Sequence, residues 1–585
     1  MFNLKWFLLV GFFHIFAIVT TEDYIINNEK CKMPNFPAYS EETNPFYISL
    51  PYINCTDSNL LTYTSVKNNT AYLHIDRDNL DQYYSTRDMI DCCYSYVRRE
   101  GSENFPDIGI SFSTCTPFNS TVALQEDIVS VKCYLDADKI YENVHTTIVV
   151  TEAVKQKLQK FQIRKESKRR PLSVLFIVID SVARLNFERT MPLTREFILE
   201  NNFTDYMAYS KIDDNTFPNF NALITGLNLK QSNEICKPYE IGQLNKCPMI
   251  WYDFRDSGYA TAYAEDWAEI STYNYLKKGF TNPPTDYYFK PYMEAAKGLG
   301  TTFIDTMPFC AGPETQGERI LDIAKDFSTT FKDQPNFGIF WMNTFSHNYL
   351  NTPSRMDQTF KKFMEDLKSE GILDSSMVVL LADHGMRFGR IRQTNQGWYE
   401  ERLPMNFISL PPWFKEEYPR KYQNFKDNSK KLTSTYDFYL TLQDILAMSV
   451  SNYTMTGSKA CPTCASFFAE IPEKRSCSKA GVPERWCTCI GKFENNHTDL
   501  TPEIQKAAVT FIMDSDVLRP TNTSINKIES ASITYFNKKM YLKFIVEADN
   551  YYIYQVVLRA TNNPIKFVKV VNIVQLWKRS PISFK

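Results

Sequence analysis

The chain reads as an α/β protein built on a doubly wound, largely parallel sheet, with a disulfide-rich N-terminal region and a small β-rich C-terminal part. Three observations predict this: compact apolar runs without polar alternation, helix-length amphipathic stretches between them, and cysteines gathered toward both ends of the 585 residues. Continuous apolar runs mark strands buried on both faces, as parallel sheets require. Strands that alternate with helices build crossover units.

From the start of the chain, the run from about Trp6 to Val19 is too short to span a bilayer comfortably and suits a signal-peptide core. Residues 1–21 are therefore expected to be a leader on a secreted protein, with a retained signal anchor as the alternative. Residues 22–168 hold six of the 14 cysteines, Cys31 to Cys133, and strand-like pieces such as Thr70–Ile75 and Val129–Tyr134. Residues 169–455 carry the sheet pattern: Val174–Ile179, Ala260–Ala264, Phe337–Met342 and Met377–Ala382 as strands, Ile320–Phe331 and Gln358–Leu367 as helices. Residues 456–585 begin with five cysteines, Cys461 to Cys489, then a helix near Pro502–Met513 and strands around Ser532–Phe536 and Tyr541–Val546.

Composition narrows the function classes. A net charge of -2, with 65 basic against 67 acidic residues, offers no footprint for nucleic acid, and the one basic cluster, Arg164 to Arg170, reads as a solvated linker. Seven Asn-x-Ser/Thr sequons, at Asn54, Asn68, Asn119, Asn202, Asn452, Asn496 and Asn522, fit passage through the glycosylation machinery. In that compartment Cys461, Cys464, Cys477, Cys487 and Cys489, irregularly spaced, are expected as disulfides rather than as a zinc site.

Ligands of open α/β sheets bind outside the carboxyl ends of the strands. Asp180 follows one predicted strand, His347 lies shortly after another, and Asp383-His384 follow a third. Between them, Asn215-Thr216-Phe217-Pro218-Asn219 opens a helix: Pro218 sits in its first turn, Phe220, Leu223, Ile224 and Leu227 keep its spacing, and Gly226 is near its end. Thr216 has two readings. As an N-cap it only satisfies a backbone N–H. Beside a divalent cation its hydroxyl is acidified as water is, from about 15.7 toward about 7, and becomes a nucleophile. Asp180, Thr216, Asp383 and His384 together form a mixed oxygen and nitrogen ligand set suited to one zinc or manganese ion, with Gly385 allowing a tight turn.

These residues resemble the alkaline phosphatase superfamily of phosphodiesterases, phosphoethanolamine transferases, lipoteichoic acid synthase and sulfatases. Asp180-Ser181-Val182-Ala183-Arg184, Ala264-Glu265-Asp266-Trp267, Phe345-Ser346-His347, Asp383 to Gly389 and Glu400-Glu401-Arg402-Leu403-Pro404 look like the animal family called domain of unknown function 229. The resemblance implies an alkaline-phosphatase-like fold, metal ligation by Asp180, Asp383 and His384, a nucleophilic Thr216 that also touches the metal, and Asn219 against a phosphoryl oxygen. It places His347 where two-metal members keep a second-ion ligand. Their companion aspartate position is Asn343 here, and His14, His74, His145 and His497 lie outside the domain, so one metal is expected and His347 is left to hold substrate or protonate the leaving oxygen. Thr216 followed by Phe-Pro-Asn lacks the Cys/Ser-x-Pro-x-Arg motif of formylglycine sulfatases. Arg387, Arg390 and Arg402 are candidates to pair with an anionic substrate, Arg387 foremost.

The expectation is a secreted, metal-dependent phosphoryl-transfer enzyme acting on an anionic ester of a lipid, glycan or nucleotide. The alternatives are a non-catalytic extracellular binding protein on this fold and a sulfate-ester hydrolase without formylglycine. No nucleic-acid partner is expected, and no membrane unless the leader stays as an anchor.

Overall fold

The computed structural model describes residues 23–67, 70–83, 90–163, 170–494, 500–515, 523–561 and 564–578. The leader, most of the basic cluster at Arg164, and sequons Asn68, Asn496 and Asn522 lie outside the described residues, as do His14 and His497.

The central sheet has seven strands in the order Thr204–Asp205, Asn406–Ser409, Ser376–Leu381, Ser173–Ile179, Asn336–Met342, Ala260–Glu265 and Tyr287–Tyr288. Ser173–Ile179 pairs in parallel with both neighbours, Val174 standing opposite Phe337 and Met377. Antiparallel pairing enters at one edge, where Asn406–Ser409 joins Ser376–Leu381 and Thr204–Asp205. Every residue of Ser173–Ile179 is buried, for a reason visible in its alternation. Leu175, Ile177 and Ile179 enter one core with helices Gln316–Thr330 and Asp357–Ser369, while Val174, Phe176 and Val178 enter another with Thr216–Thr225 and Thr435–Ser449.

The strands match the apolar runs within a residue or so, whereas a helix starts earlier than its apolar pattern. Gln316–Thr330 begins before Ile320 because Thr315 accepts a bond from the Glu318 N–H at 3.0 Å, capping a first turn that is polar.

All 14 cysteines are paired in seven disulfides, including Cys461–Cys464, Cys477–Cys487 and Cys31–Cys489. This pairing places folding in an oxidising compartment. Two bridges tie the first described residues to distant parts of the chain: Cys31 to Cys489 and Cys55 to Cys310. The tail is a four-stranded antiparallel sheet, Ile525–Phe536 through Lys566–Lys578, with helix Pro502–Asp514 against its core. The four sequon asparagines among the described residues, Asn54, Asn119, Asn202 and Asn452, are all exposed. No helix among the described residues is long and apolar enough to cross a membrane.

Candidate metal and nucleophile centre

Three buried groups meet where the central strands end. The ligand atoms of Asp180, Asp383 and His384 all lie within 4.8 Å of one another. Asp180 follows Ser173–Ile179 and stays in line through its N–H to the Met342 carbonyl at 2.9 Å. Ser181 then turns the chain with a φ of 63°, donating its N–H to Asp383 Oδ1 at 3.2 Å and its hydroxyl to Asp180 Oδ1 at 2.5 Å. Ser181 thus holds the two carboxylates face to face. Sequence periodicity gives no sign of this, because the Asp383 contact joins residues 202 positions apart.

His384 donates Nδ1–H to the Gly385 carbonyl at 3.0 Å, which leaves the Nε2 lone pair free to accept. That Nε2 stands 3.2 Å from Asp383 Oδ2, and both atoms are buried without a hydrogen-bond partner. Burial, then the Asp180 carboxylate, pushes Asp383 up to about 8. Burial and the Arg387 guanidinium push His384 down to about 3, so its imidazole is neutral. Burial raises Asp180 too, but the His347 ring, the Ser181 hydroxyl bond and the Arg387 guanidinium together help hold its carboxyl below the ordinary value. Two buried carboxylates and a neutral imidazole, with orphaned acceptors turned toward each other, fit a divalent cation.

Thr216 is the first residue of helix Thr216–Thr225, and the N-cap is Asn215, so the capping reading of Thr216 gives way. Asn215 adopts a φ of 67°, which swings the chain so that the Thr216 hydroxyl donates to Asp180 Oδ2 at 2.9 Å. Gly226 ends the helix with a φ of 66° against the Tyr439 ring, as its position in the sequence suggests.

Asn219 is placed differently from the expectation of a phosphoryl contact. Its Oδ1 accepts from the Ile212 and Asp213 N–H groups, and its Nδ2 donates to the Asp213 and Asn215 carbonyls at 2.8 and 2.9 Å. The carboxamide is spent on shaping the loop that presents Thr216.

Arg387 reaches the same loop, bonding Asn215 Oδ1, and its guanidinium stands 5.2 Å from the Phe388 ring. Arg390 is exposed, whereas Arg402 is buried and bound to Glu401 and the Trp398 carbonyl. Arg402 is therefore not an anion-binding group. It belongs to a buried cluster in which Glu401 accepts from Lys211 at 2.9 Å, Arg392 at 2.5 Å and Arg402 at 2.9 Å. The strap that carries Glu401 also takes the Gly385 N–H on its carbonyl at 3.0 Å. Gly385 serves this approach rather than a special turn: a Cβ there would meet the Glu400 carbonyl oxygen at 2.1 Å.

His347 lies at the edge of the centre, its ring 6.0 Å from those of Trp267 and Phe388, with Nδ1 2.7 Å from Asn348 Oδ1. Asn343 and its neighbour Thr344 are bound through their N–H groups to the buried Asp266 at 2.7 and 3.0 Å. Asp266 thus anchors the turn leading to His347, a task the sequence does not reveal. Among the described residues, no other cluster outside the disulfides offers three metal-liking groups.

Comparisons with known proteins give the following likenesses. The phosphonate monoester hydrolase SpPMH from Silicibacter pomeroyi is 12% identical over 67% of this chain and 89% of its own, with a TM-score of 0.36. The lipoteichoic acid synthase LtaP from Listeria monocytogenes is 11% identical over 57% and 88%, with a TM-score of 0.33. BT4656, solved with its substrate D-glucosamine-2-N,6-O-disulfate, is 12% identical over 65% and 90%, with a TM-score of 0.35. No curated protein matches the sequence. A family model described as protein of unknown function (DUF229) matches residues 49–524, a span that includes every residue of the centre from Asp180 to Arg402, and the chain belongs to that family.

Proposed function

We propose that the protein is a secreted phosphoryl-transfer enzyme that uses Thr216 as nucleophile and one divalent cation, zinc or manganese, held by Asp180, Asp383 and His384. One observation carries this reading: the unpartnered Asp383 Oδ2 and His384 Nε2 face each other beside Asp180, and the Thr216 hydroxyl is bonded to that same Asp180. When bound, the cation would supply positive charge that favours the ionised nucleophile and stabilises the developing oxyanion.

The remaining steps belong to the chain. The Thr216 oxygen attacks phosphorus as its proton passes to Asp180 Oδ2 along the 2.9 Å bond. The ester P–O bond opposite breaks, and the leaving oxygen takes a proton from His347 Nε2, whose ring is oriented through Nδ1 by Asn348. Arg387 pairs with the non-bridging oxygens from the Asn215 side. Water or an acceptor hydroxyl then attacks phospho-Thr216 as its proton passes to His347 Nε2, the P–O bond to Thr216 breaks, and the Thr216 oxygen takes back the proton held on Asp180 Oδ2, which gives hydrolysis or transfer.

The test is metal analysis of the secreted chain beside an Asp383→Ala, His384→Ala double variant, with aryl phosphodiester and aryl sulfate assays on both. About one ion per chain, lost in the variant together with phosphodiester turnover, is the expected result. Sulfate turnover alone would move the reaction to sulfur. Neither metal nor turnover would overturn the catalytic reading and leave a binding protein.

A further inference from the structure

Beside the centre lies a groove of about 380 Å³, within the range of small-molecule sites. One wall is the extended segment carrying Ile48 and Leu50, and the others come from the loops of Tyr349 and Phe388. Three large apolar side chains are left open to solvent along it: Ile48 at 62%, Tyr349 at 45% and Phe388 at 40% exposure. Exposed apolar groups gathered in a concavity call for an occupant, unlike the same residues scattered singly.

The groove is built, and it adjoins the edge of the centre through Phe388 and Asn348. Asn351 Nδ2 donates to the Phe46 carbonyl at 2.8 Å, Ser354 Oγ accepts the Leu50 N–H at 2.9 Å, and Arg355 donates to the Pro51 carbonyl at 2.9 Å. These bonds fix the N-terminal segment as a wall. The Phe388 ring forms the junction, 6.0 Å from the His347 ring on one side and 5.2 Å from the Arg387 guanidinium on the other. Asn348, which orients His347, also lines the groove. At its rim Arg390 is exposed and forms no ion pair with any described residue.

We propose that this groove takes the hydrocarbon portion of the substrate, which makes the substrate an amphiphilic anionic ester with an alkyl chain next to its phosphoryl group. The assignment rests on the phosphoryl-transfer reading of the centre. The anionic head lies at Arg387 and the cation, the ester oxygen at His347, and the chain runs past Phe388 between Ile48 and Tyr349. The lining is mostly apolar, so a methylene chain gains from each carbon it buries against these walls.

The test uses binding, so that it is independent of turnover. Butyl, hexyl and octyl phosphate, each below its micelle concentration, are titrated calorimetrically into the full chain loaded with zinc, with inorganic phosphate as the head alone. Burial of each added methylene is expected to tighten binding about twofold to fourfold, with an increasingly negative heat-capacity change. In Ile48→Asp and, separately, Tyr349→Asp, both at exposed positions, the chain-length dependence is expected to flatten while inorganic phosphate binds as before. Equal affinity for butyl and octyl phosphate overturns the groove assignment, as does an unchanged slope in both variants. A slope without ester turnover would keep the groove and remove the enzyme reading. Turnover without a slope would do the reverse.

Discussion

Replacing Asp383 by Asn is expected to stabilise the metal-free protein and to remove its response to metal. In the metal-free fold the ligand atoms of Asp180 and Asp383 lie within 4.8 Å of one another, both buried. At 4.8 Å or less and an effective dielectric of about 20, two ionised carboxylates repel by about 3.5 kcal/mol or more. Asparagine keeps the shape and removes one charge. The sign follows from the raised carboxyl: Asp383 holds its proton to about 8 in the fold and loses it near 4 when unfolded. Native stability therefore falls as pH rises from about 4 to about 8 and is level above. In EDTA at pH 8.5 the variant should be the more stable by about 3–5 kcal/mol, the lower figure from the repulsion alone and the upper from the span between about 4 and about 8, and the gap should close as pH falls toward 4. With zinc at about a thousand times its Kd, wild type gains about 4 kcal/mol and the variant little, so only wild type responds to the metal. Thermal unfolding with EDTA and with zinc across pH reads both effects. A metal-free Asp383→Asn protein less stable than metal-free wild type would refute the argument that an uncompensated carboxylate pair occupies this site.

Three further outcomes are expected. Gly385→Ala places a Cβ 2.1 Å from the Glu400 carbonyl oxygen, and should part the Asp383-His384 turn from the Glu401 strap, costing about 2 kcal/mol or more and lowering metal stoichiometry by elemental analysis. Asn219→Ala strips the 212–215 loop of its side-chain bonds and leaves buried groups unsatisfied, so stability should fall by about 2–4 kcal/mol and turnover with it, while zinc binding, which Asn219 does not touch, persists. Asp127, pushed up to about 7 by burial, makes the fold less stable as pH rises from about 4 to about 7; Asp127→Asn should gain about 2 kcal/mol over wild type above pH 7 and nothing near pH 4 in denaturant titrations.

The sequence by itself determined the layers and the strand ends. Val174–Ile179 and Met377–Ala382 are apolar at every position because both faces of their strands are covered, and that pattern needs no partner to be read. Once the strands are known, Asp180 and Asp383-His384 fall at their carboxyl ends, and the crevice follows from the architecture. Thr216 could be read to a helix start but not to its orientation, which depends on the φ of Asn215 and on a hydrogen bond to a residue 36 positions away. The tasks of Asn219, Arg402, Ser181 and Asp266 were hidden for one reason: a side chain that shapes a loop and one that touches a ligand have the same composition and differ only in where their polar atoms point. The groove was hidden for another. Its walls come from residues near 48, 349 and 388, brought together by the hydrogen bonds that lay the N-terminal segment along the loop of residues 351–355. Local pattern fixes elements because their periodicity is short-range; only the folded chain decides which distant side chains share one surface.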